Sequence, residues 1–213
     1  MPGELATPSA ALWSDPLVAR AAFGEGLARA AESLSTMTGA DISAIEQRVQ
    51  TLSLPEAAAV AGHPDQPTVG VYLALTGAVE AHVVLLFEPD DAERLIDLLL
   101  GGRVTSPSER SGLVLAALGE VGNVMGSSFA NVLGDLIGAP LWSTPPTVQT
   151  DMARALVDGM LACASDDRDQ VLVVVTQFAQ RDVAERFSVR GTFLVVPEIE
   201  GMSALFEALT RVG

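Results

Sequence analysis

The chain contains no lysine. All 12 of its basic residues are arginine, set against 27 acidic residues, for a formal net charge of −15. Nucleic-acid binding needs a positive face that displaces counterions, and no arginine cluster supplies one. An anionic membrane surface is disfavoured on the same ground. The acidity favours solubility and would steer basic partner surfaces, but charge alone names no partner. Cysteine occurs once, as Cys163, so no internal disulfide can form, which fits a reducing compartment. No apolar run reads as reaching the roughly 20 residues of a membrane helix. The start, MPGELATPSAALWSDP, lacks the basic segment and apolar core of a secretory signal. A cytoplasmic protein is expected. Only two histidines occur. His63, in a predicted loop, and His82, in a predicted strand, stand alone and are read as structural, so no metal or cofactor of the chain's own is expected.

Hydrophobic residues make up 49% and charged residues 18% of 213, which excludes a disordered composition and allows one sizeable core. Residues 1–13 read as a flexible tail. SDPLVARAAFGEGLARAAESLSTMTG reads as a helix, capped by Ser14, with Pro16 early, Leu17, Val18, Ala21, Ala28, Leu34 and Met37 in helical spacing, and Gly39 closing it. ISAIEQRVQTLSL reads as a strand and AGHPDQP as a loop. TVGVYLALTG and AVEAHVVLLFEP then read as a hairpin. PDDAERLIDLLLGG reads as an amphipathic helix with acidic residues in its first turn. The order then restarts. SPSERSGLVLAALGEVGNVMGSSFANVLGDLIG opens on a capping box, Ser106 and Glu109, with Pro107 at the first helical position, and ends at Gly138 before Pro140. APLWSTPPTVQTDMARALVDGMLA follows. DQVLVVVTQFA and ERFSVRGTFLVVP are strand-like, and EGMSALFEALTRVG is a final helix. ESLSTMTGADI echoes NVLGDLIGAPL, and AERLIDLLLGG echoes MSALFEALTRVG.

The reading is a single α+β domain over 14–213, internally duplicated about a pseudo-two-fold, with repeats of about 14–102 and 103–213. Its sheet would be largely antiparallel, covered by two long helices and shorter ones.

The second long helix carries the one unusual pair. Glu120 and Asn123 are three positions apart, neighbours on a helix surface, and with Ser127 and Asn131 they form a polar stripe. Leu113, Ala117, Val121, Val124, Leu133 and Leu136 form the opposite stripe, with Leu118, Met125 and Val132 at its edge. Gly119, Gly122 and Gly126 each cost about 1 kcal/mol against alanine in a helix interior. Close approach of another backbone, from a partner helix or a docked protein, is the expected compensation.

The stretch ALGEVGNVMGSSFANVLGDLIG…PPTVQTDMARALVD resembles the CheC family of chemotaxis phosphatases, related to CheX and the flagellar switch proteins. That family's signature is Asp or Ser, three residues, Glu, two residues, Asn, then 22 residues and Pro. Glu120, Asn123 and Pro146 fall on it, with residues 124–145 as the spacer. The resemblance implies dephosphorylation of a phosphorylated CheY-like response regulator, the helix lying across the receiver's active site. Asn123 would orient a water for in-line attack on the aspartyl phosphate, and Glu120 would pair with the receiver's lysine. The Mg²⁺ would belong to the receiver. CheD is a further partner the resemblance admits.

Two departures accompany the match. Four residues before Glu120 stands Ala116, where the family has Asp or Ser. In the first half, aligning Leu34-Ser35 with the usual helix end puts Ala21 in the Glu position, Gly24 in the Asn position and Gln47 in the Pro position. A frame starting at Glu25 puts Ala28 in the Asn position. Either way the Asn is missing, and a single active site is expected. The alternative is a non-catalytic module that binds a receiver or CheD. A third reading, a switch subunit offering an assembly surface, gives the intact Asn123 no task.

Overall fold

The computed structural model describes residues 16–60, 63, 65–100, 107–164, 170–180 and 189–198. The expected tail, Ser14, Ser106 and the final helix lie outside them. In chain order the elements are α1 (Pro16–Thr38), β1 (Ile42–Ser53), α2 (Leu54–Ala59), β2 (Pro67–Gly77), β3 (Ala81–Phe87), α3 (Pro89–Leu100), α4 (Pro107–Ile137), β4 (Leu141–Ser143), β5 (Thr147–Met152), α5 (Ala153–Ala164), β6 (Gln170–Gln180) and β7 (Arg190–Pro197).

The strands form one antiparallel sheet in the order β1-β6-β7-β3-β2-β4, with β5 beside β4 on the same edge of β2. Alternation along β2 is that of a strand with two different faces: Val71, Leu73 and Leu75 are fully buried and Tyr72 and Ala74 only partly so. β3, at the centre, is buried at every position, because both of its faces are covered. One face packs against α1, α3 and α4 through Leu27, Leu34, Leu95, Leu118, Met125 and Phe129. The other packs against α2 and α5 through Ala57, Val157, Met160 and Leu161. β1 borders the sheet and carries a bulge between Ala44 and Glu46 that leaves Ile45 55% exposed.

The two long helices lie on each other. The Phe23 and Phe129 rings stack with centroids 6.1 Å apart, and the Ser33 and Ser128 hydroxyls meet at 2.7 Å. Each helix ends on a glycine in the left-handed region, Gly39 and Gly138, both at φ 69°. Only a residue without a Cβ penalty takes that turn cheaply.

Several elements differ from the sequence reading, each for a physical reason. Helix α2 starts at the last residue of what reads as strand and occupies residues that the sequence reading assigns to no element. Its Ser53 backbone N–H and hydroxyl both donate to Glu56 Oε2, at 2.9 and 2.6 Å, an S-x-x-E signal present in the sequence. β4 and β5 are one edge strand interrupted at Thr144-Pro145-Pro146, where two residues lack the N–H a ladder needs. The gap is closed by Thr144 N–H to the Ala74 carbonyl (2.8 Å) and Ala74 N–H to the Thr144 hydroxyl (2.9 Å).

The buried stripe of α4 runs through Leu118, Val121, Met125, Phe129 and Leu133, rotated from the expected one. Leu113 is 41% exposed, and Phe129 is central. Ala28 of α1 is likewise exposed rather than inward. The rotation follows the glycines. A Cβ on Gly122 would stand 2.5 Å from Val71 Cγ1, and one on Gly126 2.6 Å from Leu73 Cδ2. At Gly122 and Gly126 the close approach is therefore to β2, not to another helix or a visiting protein. Gly119 differs, with nothing within 4 Å of an added Cβ. By length and composition alone, Gly112–Asp135 is apolar enough to cross a membrane, at mean hydropathy 1.4. This corrects the expectation that no run is long enough: its leucine, valine, methionine, phenylalanine and alanine residues outweigh the interspersed polar residues and glycines in the average. In the fold Leu118, Met125, Phe129 and Leu133 of this stretch are buried in the core, while Leu113 and Leu115 are exposed.

The two glycine environments predict opposite outcomes in urea unfolding. Gly119→Ala raises stability by up to about 1 kcal/mol, the helix-propensity gain. Gly122→Ala lowers it by about 1–2 kcal/mol, because the added methyl meets the stiff β-branched Val71.

Candidate functional site

The height and rotation of α4 over the sheet decide what it presents. Gly122 and Gly126 seat on Val71 and Leu73. On the edge side, the Pro146 ring lies within 3.2 Å of where a Gly122 Cβ would be. One turn on, the Ser127 hydroxyl is 3.1 Å from that of Ser143 at the end of β4. The interrupted edge strand is thus a strut along the helix, and Pro146 stands beside the turn that carries Glu120 and Asn123. Ser127 belongs to that strut, while Asn131 continues the exposed face.

With its underside fixed, α4 turns Glu120 and Asn123 outward. Both are exposed, and among the described residues neither has a hydrogen-bond or ion-pair partner. Toward the N-terminus the strip in line with Asn123 carries Gly112, Ala116 and Gly119, with open space around both glycines, flanked by the exposed Leu113 and Leu115. A partner surface can therefore approach the helix closely there, with the carboxylate and the carboxamide as the projecting groups. A carboxamide donates and accepts hydrogen bonds without charge, and a carboxylate only accepts. Two clefts lie elsewhere: about 510 Å³ among His63, Asp91, Arg94 and Arg190, and about 350 Å³ between α5 and β2. Neither is lined by Glu120 or Asn123.

The histidines differ from each other. His63 is exposed. His82 is not alone: its Nδ1 is 2.7 Å from the Tyr72 hydroxyl and its Nε2 3.0 Å from Glu198 Oε1. Tyr72 and His82 share one face because Ala74 pairs with His82 in the β2–β3 register, which makes them diagonal neighbours. Hairpin register could have suggested that pair, but Glu198 comes from beyond β7 and left no local signal. Burial raises the Tyr72 pKa above its ordinary value, and the negative charges of Cys163 and Glu198 add to the shift. Among the described residues, no group of three or more His, Cys, Asp or Glu side chains could hold a metal ion.

No family model matches the chain. Among relatives, CheC1 of Halobacterium salinarum is 30% identical over 141 residues, 63% of this chain and 70% of that protein. The CheY-P phosphatase CheC of Bacillus subtilis is 23% identical over 186 residues, 86% of this chain and 88% of that one. Among solved structures, FliY of Thermotoga maritima superposes with a TM-score of 0.64 at 21% identity, covering 98% of this chain and 99% of its own. A CheX–CheY–BeF₃–Mg²⁺ complex from Borrelia burgdorferi gives 0.52 at 18% identity, covering 82% of this chain and 96% of that one. At these identities the structures show a shared fold.

Tyr72 is the chain's single tyrosine, so absorbance near 295 nm reads its ionisation alone. The alkaline midpoint is expected above 10, moving down in Glu198→Gln, which removes one of the charges that raise it. Because the folded state holds the phenol neutral, its contribution to stability is intact below the unfolded pKa and is lost as pH rises through the folded one. Unfolding midpoints should fall accordingly above pH 10.

Proposed function

The chain belongs to the CheC family, and from that premise we propose that it is a phosphatase of a phosphorylated CheY-like receiver, acting through Asn123 and Glu120 on α4. One observation carries the reading: a carboxamide and a carboxylate, three residues apart, exposed and without a partner among the described residues, on a helix whose opposite side is locked onto the sheet. The names of the relatives and the CheX–CheY complex support the same partner.

An acyl phosphate is intrinsically reactive, so the work left to a catalyst is positioning. On this reading Asn123 reaches the receiver's phosphoryl group and holds a water in line with the scissile bond. The water oxygen forms a bond to phosphorus as the P–O bond to the receiver's aspartate breaks. The aspartate leaves as a carboxylate, and the water's proton passes to the phosphate or solvent. Glu120 pairs with a cationic side chain of the receiver and fixes the dock. The metal ion belongs to the receiver, and this chain contributes no ligand to it.

We read the chain as a duplication with one working site. Gly39 and Gly138, with equal φ, give a common frame for α1 and α4. In that frame Leu34 matches Leu133, Ala31 matches Ala130 and Ala30 matches Phe129, all buried. The sheet order supports the same symmetry, since β1 lies against β6 as β5 lies against β2. Gly24 then takes the position of Asn123, Ala21 that of Glu120, and Gln47 that of Pro146. The frame that would put Ala28 in the Asn position breaks the match of the caps.

Ala116, exposed one turn before Glu120, is the observation that favours the second reading, a module that docks a receiver or CheD without turnover. A receiver phosphorylated by acetyl phosphate in Mg²⁺, mixed with this protein, separates the two. Catalysis predicts accelerated loss of phosphate, reduced about 100-fold or more in Asn123→Ala and unchanged in Gly24→Ala. Binding to the phosphorylated receiver without accelerated loss supports the docking module instead.

A further inference from the structure

The face of the sheet away from α4 holds a second constellation. Helix α5 stands off β2, β3 and β5 and leaves a cleft of about 350 Å³, within the range of small-molecule sites. Val84, Leu156 and Met160 supply apolar wall. Gly70 shapes the floor: a Cβ there would come within 3.0 Å of Leu156 Cδ1. Tyr72, Thr147, Gln149 and Cys163 are its polar lining residues, and of these Tyr72 has a hydroxyl held in place by a relay. It is 2.7 Å from His82 Nδ1, His82 Nε2 is 3.0 Å from Glu198 Oε1, and the phenol and imidazole rings stack with centroids 6.0 Å apart.

This chain has a direction. An ionised carboxylate only accepts, so in the neutral imidazole the proton sits on Nε2 and points to Glu198. Nδ1 is then an acceptor, and the Tyr72 O–H must donate to it. The phenol oxygen is left with an acceptor lone pair beside the cleft, and the relay fixes it there. Burial keeps the phenol neutral. A ligand carboxylate would meet that lone pair and the nearby Glu198 charge, in a chain of net charge −15. A ligand that donates a hydrogen bond meets its complement.

We propose that the cleft between α5 and strands β2, β3 and β5 binds a small, largely apolar molecule bearing one hydrogen-bond donor, an alcohol or an amine, which packs on Val84, Leu156 and Met160 and donates to the Tyr72 hydroxyl. The site lies on the opposite face from Glu120 and Asn123 and stands independently of the phosphatase reading.

The test uses the full chain, labelled at Met and Leu methyls and titrated in NMR with benzyl alcohol and, separately, with toluene, which has the same ring and no donor. Saturable shifts are expected at Met160 and Leu156. Benzyl alcohol should bind about 2–10-fold more tightly than toluene, the value of one hydrogen bond. Tyr72→Phe should remove that difference and leave toluene binding unchanged. Gly159 lines the cleft, is exposed, and has open space at its Cβ, so Gly159→Leu can fill the cleft without disturbing the fold and should block both probes. Absence of saturable shifts at Met160 and Leu156, equal affinity for the two probes, an alcohol preference that survives Tyr72→Phe, or undiminished binding in Gly159→Leu overturns the proposal.

Discussion

The seating of α4 on β2 is the constraint on which the rest of the architecture depends. Two glycines in a helix interior cost about 2 kcal/mol against alanine. Burying Val71 and Leu73, both at 0% exposure, contributes about 1.5–3 kcal/mol each, so the contact is favourable even with the propensity penalty. The Val71 and Leu73 side chains fill the space up to the helix backbone and leave no room for a side chain from α4 at Gly122 or Gly126, which fixes the rotation of α4 about its axis. With rotation fixed, Phe129 is driven into the interface with α1, where it stacks on Phe23. Glu120 and Asn123 are held on the solvent side by the same contact.

Much of this was legible in the sequence, and the failures have a common cause. β2, β3, α3 and both long helices announce themselves by local periodicity and by their terminal Gly and Pro residues, which report backbone geometry directly. The pair at Glu120 and Asn123 was legible because helix spacing alone makes them neighbours. The glycines of α4 signalled close approach, but not to what: Val71 and Leu73 are some fifty residues away, and only the fold brings them beneath. The inward stripe was misjudged because apolar residues occur around most of this helix, and spacing alone does not choose among them. The actual interface is set by the smallest residues on the helix. The relay through His82 depends on Glu198, 116 residues away, so no spacing rule could have revealed it. The same holds for β4 and β5, two short strands that pair only because β2 offers them a shared edge.

β2 serves both faces of the molecule through neighbouring residues. Val71 supports Gly122 of α4, while Gly70 and Tyr72 face the cleft under α5. The pairing of Tyr72 with Thr147 adds a lateral connection, because Thr147 follows Pro146, the strut beside α4. The exposed turn of α4 and the reverse-face cleft therefore share a wall one strand thick. Any displacement of β2 is felt on both sides at once.

The bulge in β1 has a consequence for how the molecule behaves among its own copies. A straight outer strand of twelve residues would offer a row of free amides on which an identical chain could template, zipping up toward a cross-β stack. The extra residue at Ile45 breaks that row near its start and adds local twist, so an incoming strand loses register after a few residues. The irregularity acts as a gatekeeper against filament growth on a border to which, among the described residues, no further strand pairs.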